Sequence, residues 1–266
     1  MQAEPDVLTT KGYSMRTMLR PVLGFALLLS ATPALAQEAD KAITVSGSAT
    51  LTSDYRYRGI SQTDKDFAVQ GSVTVSHASG VYAGLWGSTV DDYVAAGGDQ
   101  EIDLILGYKK TIGGTTIDLG GVYYYYPGAE KITAGYNSDF LELYGSVAQT
   151  LGPVTAKLTA NYAPKSAALA LEDAKLDNFY MGLGLSGAVP NTPVSLSASI
   201  GRTFTKSFLS GGEKYTDWSL GASYTTGPVT FGLTYVDTSY GKDVLVGSTG
   251  KDIAKGGLFG TIGVAF

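Results

Sequence analysis

The chain has 266 residues and a formal net charge of −5, with no cysteine, 35 glycines and 18 tyrosines. This length suits one large all-β domain, and the lack of a basic excess excludes an electrostatic surface for nucleic acid. Without cysteine, the chain has neither a disulfide scaffold nor a cysteine-ligated metal site.

The N-terminal segment has the pattern of a secretory signal peptide. Arg16 and Arg20 precede an apolar run over residues 22–29, and Ala34-Leu35-Ala36 matches the small-x-small pattern of a cleavage site. The run is shorter than the roughly 20 residues that a transmembrane helix needs. We therefore predict a signal peptide over residues 1–36, with Met15 as a possible true start, and an exported domain over residues 37–266.

From Ile43 onwards, apolar and polar residues alternate with a period of two, which indicates β-strands. The first predicted strand extends to residue 58. Tyr55 and Tyr57 continue its apolar face, while Asp54, Arg56 and Arg58 continue its polar face. A polar loop over residues 59–66 follows.

Eleven further strands are predicted, and long loops alternate with short turns between them. The strands cover residues 67–76, 81–90, 101–109, 117–125, 141–147, 154–162, 179–186, 194–201, 217–224, 229–235 and 257–266. The later long loops cover residues 91–99, 127–138, 164–176, 206–214 and 237–255. About twelve strands of about ten residues indicate an all-β, antiparallel, up-and-down transmembrane β-barrel. Both termini would then be periplasmic.

The apolar faces alone also fit the core of a soluble two-sheet sandwich. Aromatic residues near the predicted strand ends favour the membrane barrel, because outer-membrane barrels carry aromatic girdles at both interfaces. These residues are Tyr55, Tyr57, Tyr108, Tyr123, Tyr125, Tyr162, Trp218, Tyr224 and Tyr235.

The last predicted strand, residues 257–266, carries apolar residues at alternate positions and ends on an aromatic residue. This pattern resembles the C-terminal signal of bacterial outer-membrane barrels, so we interpret Phe266, Val264 and Ile262 as an assembly signal. A closing strand of any β-sandwich is the alternative.

Residues 52–91 also resemble a known family. The matching residues are those of the runs Ser53-Asp54-Tyr55-Arg56-Tyr57-Arg58-Gly59-Ile60-Ser61-Gln62, Ala68-Val69-Gln70-Gly71, Gly80-Val81-Tyr82-Ala83-Gly84 and Trp86-Gly87-Ser88. This segment is similar to the N-terminal region of the TorF family of conserved hypothetical outer-membrane proteins described as porins. The resemblance implies a barrel in the bacterial cell outer membrane with a role in solute passage.

Charged and polar side chains on the polar faces of the strands would line the lumen of such a barrel. The predicted pore-lining residues are Asp54, Arg56, Arg58, Asp66, Gln70, Glu101, Asp103, Lys109, Asp118, Glu142, Lys157 and Asp217. They would form either a charged constriction that selects solutes or an ion-pair network that fills a narrow barrel. The acidic excess hints at a weak preference for cations. Asp91, Asp92 and Asp99 suggest a solvated acidic loop more than a site for a divalent cation.

Little in the sequence indicates an enzyme. The only histidine, His77, falls on a predicted short turn, away from any outward-facing serine cluster, and no nucleophile or phosphate-binding motif is recognisable. We therefore predict no catalytic residues, no metal and no cofactor. The expected partners are outer-membrane lipid, the barrel-assembly machinery and small hydrophilic solutes. The expected function is porin-like diffusion, with a filled structural or partner-binding barrel as the alternative.

Overall fold

A computed structural model of the protein describes residues 42–129 and 138–266. In this part of the chain, twelve antiparallel strands form a barrel that closes on itself. The predicted fold class and strand number are thus confirmed. The signal peptide predicted for residues 1–36 lies outside the described residues. No helix within the described ranges is both long and apolar enough to cross a membrane.

The strands follow the alternating apolar segments of the sequence closely. In chain order they are β1 (Ile43–Thr52), β2 (Arg56–Tyr57), β3 (Ile60–Ser61), β4 (Ala68–His77), β5 (Val81–Thr89), β6 (Gln100–Ile112), β7 (Thr115–Tyr125), β8 (Phe140–Leu151), β9 (Val154–Leu171), β10 (Ala174–Ala188), β11 (Val194–Thr203), β12 (Thr216–Thr226), β13 (Val229–Thr238) and β14 (Gly257–Ala265). β2 and β3 pair only with each other, and the other twelve form the barrel.

Consecutive barrel strands are hydrogen-bonded neighbours, and β1 pairs with both β4 and β14 to close the ring. The connections between β4 and β5, β6 and β7, β8 and β9, β10 and β11, and β12 and β13 are short. They lie at what we call the turn end of the barrel. The other connections lie at the opposite end, the loop end, and all of them except the two-residue connection between β9 and β10 are longer.

The pleat sends apolar side chains outward and polar side chains into the lumen. On β6, Leu104 and Leu106 are exposed on the outside, whereas Glu101 and Asp103 between them and the loop end are buried. On β14, Leu258, Ile262 and Val264 are likewise exposed. The alternation that predicted the strands therefore also separates an apolar exterior from a polar interior.

The first strand is shorter than predicted. β1 ends at Thr52, and Ser53 is hydrogen-bonded to β14 through two contacts with Gly260. The chain then turns into the lumen, so Tyr55 and Tyr57 are each only 1% exposed. Their assignment to an interface girdle was wrong, because their apolar rings pack against the inside of the barrel wall. Tyr108, Tyr123, Tyr125, Tyr162, Trp218, Tyr224 and Tyr235 are exposed on the outside, as predicted.

The loop predicted over residues 164–176 is instead a strand hairpin. β9 extends to Leu171 and β10 begins at Ala174, with register shifts between the Ala174, Leu176 and Asn178 pairings. Pro164 lies in this irregular region, where a residue without a backbone N–H does not interrupt a regular ladder.

The main cluster of buried apolar side chains lies among the connections of the loop end. Tyr55, Tyr57 and Ile60 contribute from the first connection, Val94 and Ala95 from the second, Leu209 from the 3₁₀ helix Phe208–Ser210, and Leu245 and Ile253 from the last. These connections therefore pack together as a cap over one mouth of the barrel.

Candidate functional site

The connection between β1 and β4 crosses the lumen. We call residues 53–66 the plug loop, and ten of these fourteen residues are buried. In the ring of twelve strands, β9 lies directly opposite β1. Arg58, at the tip of the plug loop, bonds to β8 and β10 on either side of β9, so its side chain links the loop to the far wall of the barrel.

Arg58 is the main polar anchor of the plug loop. Its Nη2 donates to Glu142 Oε1 at 2.8 Å and to Glu142 Oε2 at 2.9 Å, and its Nη1 donates to Asn178 Oδ1 at 3.3 Å. The guanidinium lies over the ring of Tyr180 at 4.2 Å and over that of Tyr57 at 4.4 Å. Such a charge-assisted and stacked arrangement favours arginine over lysine.

Glu142 is held by several donors besides Arg58. Glu142 Oε2 accepts from Asn161 Nδ2 at 3.1 Å and from the Tyr124 hydroxyl at 3.4 Å. The two partners of the ion pair are almost fully buried, with 6% and 2% of their side chains exposed. Breaking a buried pair by removing one partner leaves an uncompensated charge and typically costs about 3–5 kcal/mol.

Tyr180, which packs against Gly201, completes this anchor. The Tyr180 hydroxyl donates to Asp217 Oδ1 at 3.2 Å, and its ring crosses the position where a Cβ on Gly201 would lie, with the hydroxyl oxygen 1.8 Å away. Only a residue without a side chain at position 201 therefore allows the ring to lie flat beneath Arg58.

A second, local ion pair shapes the base of the plug loop. Arg56 Nε donates to Asp54 Oδ2 at 2.6 Å, and Arg56 Nη1 donates to the carbonyls of Gly59 and Lys255 at 2.9 and 3.1 Å. Burial raises the pKa of the Asp54 carboxyl, while Arg56 and a hydrogen bond from Ser61 oppose this shift. Arg56 thus ties the plug loop to the last long connection.

Glu101 and Asp103 lie on the wall beside the base of the plug loop. Both are buried, and Glu101 Oε1 accepts a long hydrogen bond of 3.5 Å from the Tyr55 hydroxyl. The Tyr55 ring also lies 5.5 Å from that of Trp86 on β5. The loop-end half of the lumen is therefore filled by the plug loop and by wall side chains that pack against it.

The turn-end half of the lumen is different, because several of its inward side chains reach solvent. Ser197 and Ser199 of β11 are exposed within the lumen, and Ser199 Oγ lies 2.7 Å from Ser219 Oγ. Lys109 Nζ lies 3.3 Å from Asp118 Oδ2, and 56% of the lysine side chain is exposed. We call this hydrated half of the lumen the vestibule.

The predicted pore-lining residues thus fall into three groups. Asp54, Arg56, Arg58, Gln70, Glu101, Asp103, Glu142 and Asp217 are brought together around the plug loop, whereas Lys109, Asp118 and Lys157 lie in the vestibule. Asp66 was placed wrongly: its side chain is 70% exposed and pairs with Lys251 Nζ at 2.9 Å, outside the lumen. It follows the last buried residues of the plug loop, where the chain returns to the surface.

Several residues of the anchor were missed in the sequence analysis. Asn161, Asn178 and Tyr180 lie on inward faces and were not singled out, although Tyr180 and Tyr124 stand out as aromatic residues on otherwise polar faces. A large ring facing the lumen needs something to pack against. Such residues are therefore a sequence signal for a filled interior.

The remaining candidates form no site within the described residues. His77 lies at the turn end, where its Nδ1 is 2.8 Å from Ser79 Oγ of the same turn. Asp91 accepts a hydrogen bond from Ser248. No group of three or more metal-binding side chains is found in the ranges 42–129 and 138–266.

The closed ring and its continuous apolar exterior define a transmembrane β-barrel, because only a closed barrel satisfies every strand edge in lipid. The chain belongs to the family described as "Bacterial protein of unknown function (Gcw_chp)", whose model matches residues 36–266. A bacterial transmembrane barrel of this kind lies in the outer membrane, with short turns in the periplasm and longer loops outside. The turn end is therefore the periplasmic end.

Three solved structures with a similar fold are an outer-membrane channel, a porin and BamA. An outer-membrane channel from Pseudomonas putida F1 is 11% identical, with 83% of this chain and 94% of that chain covered and a TM-score of 0.49. A porin is 12% identical, with 84% and 99% covered and a TM-score of 0.40. BamA from Haemophilus ducreyi is 13% identical, with 76% and 42% covered and a TM-score of 0.42. No curated protein matches the chain.

Proposed function

We propose that this protein is a porin-like channel that lets small hydrophilic solutes diffuse across the outer membrane when the plug loop moves aside. The conformation described above is its closed state. The protein needs no catalytic residue, metal or cofactor for this role. Its proposed partners are outer-membrane lipid, the barrel-assembly machinery and the solutes, and we assign it to the TorF family on the run from Ser53 to Gln62.

The observation that carries this proposal is the way in which the tip of the plug loop is held. Arg58 reaches the far wall through side-chain contacts with Glu142, Asn178 and Tyr180, and no ladder joins the loop to that wall within the described residues. A few side-chain contacts separate more easily than a strand from a sheet. Below the tip, the vestibule already offers solutes a polar, hydrated route.

A filled barrel that never conducts is the second candidate, and one observation favours it. Tyr55, Tyr57 and Ile60 of the plug loop are part of the same buried apolar cluster as Leu245 and Ile253. Displacing the loop would expose these side chains, at about 1.5–3 kcal/mol for each large apolar side chain. A loop held this way would serve as a permanent core rather than as a gate.

Conductance in planar bilayers separates the two candidates. We would compare the refolded wild-type protein with Arg58→Ser, which removes the anchor, and with Arg202→Ser as a matched control on the outer face of β11. A gated channel predicts rare, brief openings of the wild type and openings at least about tenfold more frequent for Arg58→Ser. Arg202→Ser should behave as the wild type does.

Folding of each protein is checked by its heat-modifiable gel mobility before recording. If Arg58→Ser does not fold, the more conservative Arg58→Lys, which keeps the charge but loses the paired hydrogen bonds, takes its place. Folded variants that remain silent in every recording would overturn the channel and establish the filled barrel as the better account.

A further inference from the structure

The charges in the vestibule have the opposite balance from those around the plug loop. Near the loop, Glu101, Asp103, Glu142 and Asp217 face the single cation of Arg58, while Asp54 and Arg56 neutralise each other. In the vestibule, the described charged side chains facing the lumen are Lys109, Asp118 and Lys157. The lumen thus carries a net positive charge only in its periplasmic half.

The three vestibule charges lie close together on one part of the wall. Lys109 of β6 is the Cα partner of Asp118 on β7, and this row continues through Ser146 on β8 to Thr159 on β9. Lys157 lies two residues from Thr159, toward the turn end.

Tyr82 and Lys109 each contact one oxygen of the Asp118 carboxylate. Asp118 Oδ1 accepts from the Tyr82 hydroxyl at 2.7 Å, and Asp118 Oδ2 lies 3.3 Å from Lys109 Nζ. The Tyr82 hydroxyl is also hydrogen-bonded to that of Tyr144. A Cβ on Gly107 would lie 2.5 Å from the Tyr82 ring, so this glycine allows the ring to lie flat along the wall.

Lys157 is left without an ion pair in the part of the chain that the structure describes. Its neighbours across the two adjacent ladders are Ala148 on β8 and Gly184 on β10, which are among the smallest residues available. The Lys157 side chain is therefore flanked by small residues, on a lumen-facing position three strands away from Lys109.

We infer that Lys157 and Lys109 form a binding site for a small oxyanion that enters from the periplasmic side, with Lys109 positioned by Asp118. The ligand is an anion bearing a carboxylate or phosphate group. Two ammonium groups supply the charged donors that such oxygens accept, inside a lumen where fixed charge concentrates counter-ions. The inference rests on the proposed function, because it names the class of solute that the proposed channel would pass.

Binding of inorganic phosphate to the refolded full-length barrel in detergent tests this site without any need for conduction. ³¹P line broadening gives the apparent affinity for the wild type, for Lys157→Gln and for a matched control, Lys214→Gln, which removes one exposed cation at the loop end. Loss of a charge-assisted hydrogen bond predicts affinity about tenfold weaker for Lys157→Gln. The control should retain the wild-type affinity, and Lys157→Arg should restore most of it.

A repeat of the titration with acetate separates a carboxylate preference from a phosphate preference. Absence of phosphate and acetate binding to the wild type, or equal losses in Lys157→Gln and Lys214→Gln, would overturn the inference. A barrel that binds phosphate but never conducts keeps the site and rejects the channel. A barrel that conducts but binds neither anion rejects the site and keeps the channel.

Discussion

Gly47 and Gly71 are glycines of neighbouring strands that differ in what a side chain would meet. A Cβ on Gly47 would lie 2.5 Å from the ring of Phe266 and 3.0 Å from the carbonyl oxygen of Ser72, whereas a Cβ on Gly71 would have only one neighbour, at 3.7 Å. Phe266 also exchanges two backbone hydrogen bonds with Gly47. The aromatic ring thus covers the seam at which the barrel closes.

We expect Gly47→Ala to destabilise the folded barrel by about 1 kcal/mol, because the added methyl group displaces the ring that covers the seam and lies close to a backbone oxygen. Gly71→Ala serves as the control and should change stability by less than about 0.5 kcal/mol. Urea unfolding in detergent, followed by the fluorescence of Trp86 and Trp218, measures the difference. Equal midpoints for the two variants would show that the ring does not hold the seam.

The assembly signal assigned to Phe266, Val264 and Ile262 stays a prediction. The three side chains are exposed on the outer face, where an assembly factor has access to them. The same residues also close the barrel. A substitution at Phe266 would therefore affect recognition and stability together. Gly47→Ala changes the seam without substituting any of the three signal residues.

Among the elements, the β9–β10 hairpin extends beyond the regular ladders and joins the cap. Ala168 and Leu169 are buried in the same cluster as Leu209 and Tyr215. The cap is therefore built from a strand hairpin as well as from loops, and its packing is separate from the apolar exterior that contacts lipid.

Leu169→Ala should loosen the cap while leaving the barrel intact. Truncation of a fully buried leucine costs about 2–5 kcal/mol, which predicts cleavage of the loop-end connections at least about tenfold faster in limited proteolysis. Leu185→Ala makes the same chemical change on the lipid-facing side and should leave the cleavage rate unchanged. Cleavage of both variants at the wild-type rate would mean that Leu169 does not hold the cap together.

The strands were predictable and the plug loop was not, for one physical reason. A period of two reports that two faces of a strand meet different surroundings, and this holds for every barrel strand from β4 to β14. The same alternation continues by chance through Tyr55 and Tyr57, although the chain has already left the barrel wall at Ser53. Periodicity alone cannot tell whether an aromatic side chain faces lipid or the lumen.

The candidate site was partly predictable for a related reason. Polar residues on inward faces identified Arg58, Glu142 and Asp217, but not which of them would meet. Arg58 and Glu142 are 84 residues apart, and their contact depends on the plug loop crossing the lumen. Nothing in the local pattern specifies that path. The residues that carry the family resemblance, 53–62, do lie on it.

For the whole molecule, the two ends of the lumen differ in their access to water. The vestibule reaches solvent at the turn end, whereas Thr203 and Asn178 at the loop end are 1% and 0% exposed. Solutes and reagents therefore reach the interior from the periplasm in the closed state and stop at the plug loop.

Single cysteines can measure this asymmetry, because the chain has none of its own. We expect Ser199→Cys to react with a membrane-impermeant thiol reagent in cells with a permeabilised outer membrane, but at least about tenfold more slowly in intact cells. Thr203→Cys, on the same face of β11 and four residues nearer the plug loop, should resist the reagent in both. Rapid labelling of Ser199→Cys in intact cells would contradict a closed outer mouth.

The closure of the ring also determines how the barrel can fold. Every other ladder of the barrel joins strands that follow one another along the chain. The seam between β1 and β14 instead brings together residues such as Ser53 and Gly260, which are 207 positions apart. Bringing such distant segments together costs roughly 3–4 kcal/mol more chain entropy than closing a short hairpin. Hairpins can form early, while the seam has to form last and slowly. Until it does, two unpaired strand edges are open to aggregation, so the most vulnerable species in the life of this protein is a nearly complete sheet that has not yet become a barrel.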